Sequence, residues 1–121
     1  MPCIYYGDEA GLVGYADPFN RGTYPWGRED TGLRECIRQM AGLRNGHSAL
    51  STGGLEPLAC AAGMAAWRRE DENGSFVICV NPGDSPLPLP DAAKYGETVF
   101  TVGRAEERRL EGQSAVIRRI R

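Results

Sequence analysis

The 121-residue chain has a single lysine, Lys94, and no apolar run that approaches the length of a membrane-spanning helix. Such a helix needs about 20 consecutive apolar residues, so no membrane partner is expected. The 14 basic and 16 acidic residues give a formal net charge of −2, and glutamates are interspersed with the arginines near the C-terminus. Without a positive field to attract phosphates, the chain is not expected to bind nucleic acid.

Cysteine motifs, nucleotide motifs and catalytic triads are also missing. The four cysteines, Cys3, Cys36, Cys60 and Cys79, show no CxxC spacing, so no metal is expected. Each stands among apolar neighbours, which predicts free, buried thiols and favours a reducing, cytoplasmic location. No glycine-rich phosphate-binding pattern occurs, so no cofactor is expected. His47, the only histidine, adjoins a serine at one predicted helix end and cannot form a triad with it.

The first half of the chain predicts a strand, a long loop and a helix. Residues 3–6, CIYY, are apolar and β-prone and favour a short buried strand. Residues 8–30 show no sustained period, and structureless loops of that length are usually functional. Apolar residues then recur at helical spacing through TGLRECIRQMAGLRNGH. Asp30 or Thr31 is expected to cap this helix, and Asn45-Gly46 to end it in a left-handed conformation.

After about residue 50 the sequence predicts only strands and turns. The segments AAWRRE, SFVICVN, ETVFTV and SAVIRRI read as strands, and LPLP as an edge segment because proline cannot donate a ladder hydrogen bond. Asn73-Gly74 predicts a hairpin turn with positive φ. About six or seven short strands in this half favour a small antiparallel β-sandwich.

The long loop concentrates side chains suited to carbohydrate binding. The carboxylates of Asp8, Glu9 and Asp17 lie close in sequence to Arg21 and to several aromatic rings. Rings cover the apolar faces of sugars, while carboxylates and guanidinium groups bind hydroxyls. Asp8 and Glu9 are adjacent and would point to opposite faces of an extended backbone, so they make a poor glycosidase pair. A purely structural role, in which either carboxylate shapes the loop, remains an alternative.

The order PCIYYGDEAG, DPFNR, PW resembles the last barrel strand and following loop of the α-amylase family, glycoside hydrolase family 13. The helix resembles the eighth barrel helix of that family, and VICVNPG with the terminal SAVI strand resembles its C-terminal sandwich. Among subgroups, the DPxxR loop is most similar to neopullulanases, cyclomaltodextrinases and maltogenic amylases, or to oligo-1,6-glucosidase relatives. In one departure, Pro25 directly precedes Trp26, whereas relatives space the two apart.

The resemblance implies an α+β fragment with two parts. Residues 1–50 would be the last β-strand and α-helix of a TIM (β/α)8 barrel, and residues 51–121 a small all-β antiparallel sandwich. Met1 falls where the family has an internal apolar residue, which suggests a truncated gene or a misassigned start. A lone barrel strand lacks its neighbours, so residues 1–45 are expected to be mobile, to self-associate or to swap a strand, and residues 51–121 to hold a cooperative core.

The resemblance also assigns roles by position. Asp17 and Arg21 match the D-P-x-x-R positions that line glucose-binding subsites. Matches to the strand motif and to the following tryptophan imply a site-shaping role for Tyr5, Tyr6, Gly7, Glu9 and Trp26. The family's aspartate nucleophile, glutamate acid/base and second aspartate lie on earlier barrel strands, so no catalytic residue is expected here.

Three functions follow as hypotheses. The first is a fragment of a retaining α-glucoside hydrolase acting on α-glucans or maltooligosaccharides, inactive alone. The second is a non-catalytic carbohydrate-binding or interaction module. The third is activity of the small chain itself.

Overall fold

A computed structural model describes residues 3–121. These residues divide into two units: the first ends at Gly42, and the second comprises Leu43–Arg121. Leu43, Ala49 and Leu50 pack into a core of the second unit. The helices are α1 (Thr31–Gly46) and α2 (Ser48–Ser51); the strands are β1 (Gly54–Pro57), β2 (Ala65–Asp71), β3 (Gly74–Asn81), β4 (Leu87–Pro88), β5 (Glu97–Val102), β6 (Arg109–Leu110) and β7 (Ser114–Arg119).

The second unit is built on an antiparallel five-stranded sheet. Its strand order is β1-β2-β3-β7-β5, and β4 pairs with β6 in a separate two-stranded sheet. The predicted strands in residues 65–70, 75–81, 97–102 and 114–120 are therefore confirmed. The short strands β1 and β6 were not predicted, because neither GLEP nor RL shows an alternating apolar pattern.

Strand β3 lies at the centre of this sheet and is buried on both faces. Val77 and Cys79 point into one core, with residues from β2, β7 and the segments around β4 and β6. Phe76 and Ile78 point into a second core, which α2 and the end of α1 cover. Strands buried on both sides read as continuous apolar runs rather than as alternating ones. FVICV is such a run, which explains why this strand was identifiable from sequence.

The hairpin between β2 and β3 differs from the prediction. Asp71 pairs with Gly74, so the loop has two residues, and neither Asn73 nor Gly74 has a positive φ. Instead, the Asp71 carboxylate accepts hydrogen bonds from the backbone N–H groups of Asn73, at 2.8 Å, and Gly74, at 3.0 Å. An Asx turn thus replaces the left-handed turn that Asn-Gly favours.

The predicted helix is confirmed as α1. Its N-terminal cap is the predicted one, whereas its C-terminal end differs from the prediction. Asp30 Oδ1 accepts a hydrogen bond from the Leu33 N–H at 2.9 Å, which satisfies a donor of the first turn. At the other end Gly46 is not left-handed. The extended backbone of His47, with φ −135° and ψ 115°, ends the helix and begins α2.

Residues 3–6 do not form the predicted strand. Cys3, Ile4 and Tyr5 have no regular structure, and Tyr6 enters a turn with a φ of 49°. A single strand satisfies its backbone groups only beside another strand, and no strand in residues 3–121 pairs with this segment. The β-prone composition of CIYY was therefore insufficient without a neighbour.

The cysteines are free, but their burial differs from the prediction. Cys79 is buried, Cys36 is half-buried, and Cys3 and Cys60 are exposed. Burial raises the pKa of the Cys79 thiol to about 11, so this thiol stays protonated and inert near neutral pH. Within residues 3–121, no helix is long and apolar enough to cross a membrane, and no cluster of potential metal ligands occurs.

A buried arginine anchors the loops on one face of the sheet. Arg118, on β7, is only 4% exposed. Its Nη1 donates to the carbonyl oxygens of Ala93, at 2.6 Å, and Glu107, at 2.8 Å, and its Nη2 donates to that of Glu106. One side chain therefore satisfies backbone groups from two separate connections, the turn at Asp91–Ala93 and the segment between β5 and β6.

Replacing this side chain tests the anchoring role. We expect Arg118→Met to lower the free energy of unfolding by about 3 kcal/mol, because it leaves buried carbonyl groups without donors. Arg119→Met, at the exposed next position of the same strand, should change it by less than about 0.5 kcal/mol. Urea denaturation measures both values, and equal effects of the two substitutions would contradict the anchoring role.

Candidate functional site

The loop between the first residues and α1 is held in a folded path by backbone hydrogen bonds. The Gly7 carbonyl accepts from the N–H groups of Ala10, at 2.9 Å, and Leu12, at 3.2 Å. The Ala10 carbonyl in turn accepts from Asp30 N–H at 2.9 Å, which ties the start of the loop to the start of α1. Gly7 has a φ of 78°, a conformation that glycine adopts at little cost.

This folded path forms a cavity with a volume of about 310 Å³, which we call the loop cavity. Its walls combine aromatic rings with a carboxylate and an amide. The lining residues are Tyr6, Asp8, Leu12, Val13, Gly14, Tyr15, Phe19, Asn20 and Gly22. The lining is more polar than apolar, and rings beside a carboxylate and an amide suit a sugar, which has apolar faces and many hydroxyl groups.

Asp17 and Arg21, the predicted substrate-binding residues, form an ion pair on the same loop. Arg21 Nη2 lies 3.2 Å from Asp17 Oδ2, and Nε lies 3.4 Å from Oδ1. Both side chains are 62% exposed, so the pair contributes little to stability and its polar atoms stay accessible. They do not line the loop cavity, although Phe19 and Asn20, two of the three residues between them, do.

A second concavity, which we call the helix-side cavity, lies in the first unit and shares Tyr6 with the loop cavity. It encloses about 510 Å³ and is lined by Ile4, Tyr5, Tyr6, Gly7, Glu9, Arg34, Ile37 and Arg38. Glu9 lines this cavity, whereas Asp8 lines the loop cavity. The two adjacent carboxylates therefore face different spaces, although the backbone at Asp8–Ala10 is a 3-10 turn and not the extended segment that the sequence analysis assumed.

The other predicted site-shaping residues are placed unequally. The rings of Tyr5 and Tyr6 have centroids 3.9 Å apart, and a side-chain hydrogen bond with Tyr6 raises the pKa of Tyr5, which keeps that phenol neutral. Trp26 packs its ring 4.5 Å from that of Tyr24 and lines neither cavity. Trp26 is thus separate from the residues that the loop brings together.

Phe19 and Asn20 were not singled out from the sequence. Both lie inside the DPFNR motif, between the two residues that the motif made conspicuous. Their signal was position within the motif rather than residue type, because a phenylalanine or an asparagine alone indicates no site. A Cβ at Gly14 would lie 2.9 Å from both the Cα and Cβ atoms of Asn20, so a glycine is required where the two arms of the loop meet.

Parts of several curated proteins and solved structures are similar to this chain. No family model matches the chain. It is 39% identical over 106 residues to an amylopullulanase of Thermoanaerobacter thermohydrosulfuricus, covering 78% of this chain and 7% of that protein. It is 31% identical over 108 residues to a cyclomaltodextrinase of Geobacillus thermopakistaniensis, covering 83% of the chain and 18% of the relative. A debranching enzyme from Nostoc punctiforme superimposes with a TM-score of 0.80 at 24% identity, covering 96% of the chain and 25% of that structure.

The close approach at Gly14 generates a prediction. Gly14→Ala should push the two arms of the loop apart and shift the backbone amide resonances of residues 12–22. Gly22→Ala should leave them almost unchanged, because a Cβ at Gly22 meets no atom within 4 Å. Amide NMR spectra of both variants measure the effect. If Gly14→Ala perturbs the loop no more than Gly22→Ala does, the described path of the loop is wrong.

Proposed function

Because the chain belongs to the α-amylase family of glycoside hydrolases, we propose that it is the C-terminal part of an enzyme that cleaves α-glucosidic bonds in α-glucans or maltooligosaccharides. The relatives are an amylopullulanase and a cyclomaltodextrinase, and the chain spans 7% and 18% of their lengths. On this proposal residues 51–121 are the C-terminal β-domain of the enzyme, a position that the likeness of fold supports.

Residues 1–50 are, on the same proposal, the last strand and helix of a catalytic barrel. The order of loop, helix α1 and antiparallel sheet supports this assignment. The lack of a strand at residues 3–6 is compatible with it, since a parallel barrel strand is hydrogen-bonded to neighbours on both sides. The chain would then contribute one edge of a sugar-binding site.

The observation that carries the proposal is the accessible Asp17–Arg21 pair beside the aromatic residues of the loop cavity. A guanidinium group with free N–H donors and a carboxylate can bind adjacent sugar hydroxyls, while Tyr15 and Phe19 offer apolar ring faces. The role proposed for these residues is to bind substrate rather than to react with it.

The chain alone is proposed to be inactive. Retaining hydrolysis needs two carboxyl groups about 5 to 5.5 Å apart and facing one bond. Asp8 and Glu9 line different cavities, and Asp17 is engaged by Arg21. The nucleophile, the acid/base and the third carboxylate would come from earlier segments of the full enzyme. A cytoplasmic location and self-association stay predictions from sequence.

The second candidate function is a non-catalytic carbohydrate-binding module. Its support is the second unit, Leu43–Arg121, which has a core on each face of its sheet and packs as a unit of its own. The two functions agree on sugar binding and differ in whether the full protein hydrolyses the sugar.

Titration with maltoheptaose tests the proposal. We expect the 121-residue chain to bind it weakly, and Arg21→Ala to weaken binding by about tenfold through loss of charge-assisted hydrogen bonds. Arg28→Ala, at an exposed position of the same loop, is the matched control and should leave the affinity unchanged. Calorimetry or amide NMR shifts measure both.

An assay with a chromogenic α-glucoside completes the test. The chain alone should show no turnover, whereas a protein that also carries the preceding barrel segments should show it. Turnover by the chain alone would contradict the assignment of catalysis to earlier segments. Equal binding by wild type and Arg21→Ala would contradict the role of the loop.

A further inference from the structure

The second unit carries a cavity of its own, separate from those of the first unit. It is a shallow, open concavity of about 440 Å³, which we call the β-domain cavity; its lining includes Lys94, Tyr95, Thr98, Glu106, Glu107 and Arg118. Tyr95 is the most conspicuous of these residues because 80% of its surface is exposed. A large ring held in water at the edge of a cavity is a ready surface for an apolar ligand face.

The floor of the β-domain cavity is fixed in place. Arg118, itself 4% exposed, binds the carbonyl groups of Ala93, Glu106 and Glu107. A Cβ at Gly96 would lie 2.6 Å from Ile120 Cδ1 and 2.8 Å from Arg118 Cβ, so the backbone next to Tyr95 lies directly against β7. A surface that is already ordered costs less to bind because little conformational freedom is lost.

The charges around the β-domain cavity are largely compensated. Lys94 pairs with Asp91. Glu106 pairs with Arg104 at 3.2 Å and with Arg109 at 3.3 Å. Arg118 donates to backbone carbonyls through Nη1 and Nη2, while its buried Nε has no partner among residues 3–121. A phosphate or a free cation would find no unpaired cluster of opposite charge, whereas a neutral ligand with many hydroxyl groups could hydrogen-bond without breaking these pairs.

We propose that the β-domain cavity binds a neutral oligosaccharide, with one sugar ring stacked on Tyr95. The Thr98 hydroxyl and the exposed carboxylate of Glu107 provide hydrogen-bonding partners for sugar hydroxyls. The choice of an α-glucan as the ligand rests on the proposed function. This site lies on the β-domain and would hold a glucan chain independently of the loop cavity.

A titration of the full 121-residue chain with maltoheptaose, followed by amide NMR, tests the second site. We expect the resonances of residues 94–98 and 105–107 to shift. Tyr95→Ala should weaken binding at these residues by about tenfold, and Tyr95→Phe, which keeps the ring, by much less. Tyr15→Ala removes an equally exposed ring from the loop cavity and is the matched control, which should leave binding at residues 94–107 unchanged.

The outcomes separate this site from the proposed function. Shifts confined to residues 12–22, or an unchanged affinity in Tyr95→Ala, overturn the β-domain site and leave the loop's role intact. Shifts at residues 94–107 without any at 12–22 support the β-domain site and count against the loop. Equal shifts at residues 94–107 with cellohexaose would overturn the assignment of an α-glucan as the ligand.

Discussion

The burial of β3 on both faces is the constraint on which the β-domain depends. Val77 and Cys79 fill one core, and Phe76 and Ile78 fill the other, so a single strand joins two layers that would otherwise be separate. Each fully buried apolar side chain of this size contributes about 1.5 to 3 kcal/mol. Loss of β3 would remove both cores at once, which is the physical basis for expecting the unit to unfold as one.

Residues 3–42 are organised differently. Within them Ala10 is the one fully buried residue, and the loop keeps its path mainly through backbone hydrogen bonds and close approaches at glycine. Large rings such as Tyr15 and Phe19 remain exposed. Exposed rings and exposed ion pairs contribute little to the stability of a fold, but they suit a surface that binds a ligand. Stability and the proposed binding function are therefore carried by different parts of the sequence.

How far the sequence predicted the structure depends on where the determining contacts lie. Strand β3 was predictable because its continuous apolar run records burial on both faces. Helix α1 was predictable from its helical spacing and its Asp30 cap, although none of its residues is buried. The segment CIYY was misjudged because a strand requires a neighbour that composition does not reveal. The Asx turn at Asp71 replaced the expected Asn-Gly turn through a side-chain contact. At the site, Asp17 and Arg21 were predicted from their motif. The loop cavity could not be predicted, because it is formed by the folded path of the loop. The β-domain cavity could not be predicted either, because its lining residues come from separate connections that meet at Arg118.

The central claim is that Leu43–Arg121 forms one cooperative unit, whereas the binding loop of the first unit is held by its own, weaker contacts. Native-state hydrogen exchange tests this claim most directly. The amides of β3 and β7 should exchange only through global unfolding, with equal opening free energies. Those of residues 12–28 should exchange through local opening at a much lower free energy. Equal protection of the loop and of β3 would contradict this division, as would early exchange of β3 while other strands stay protected.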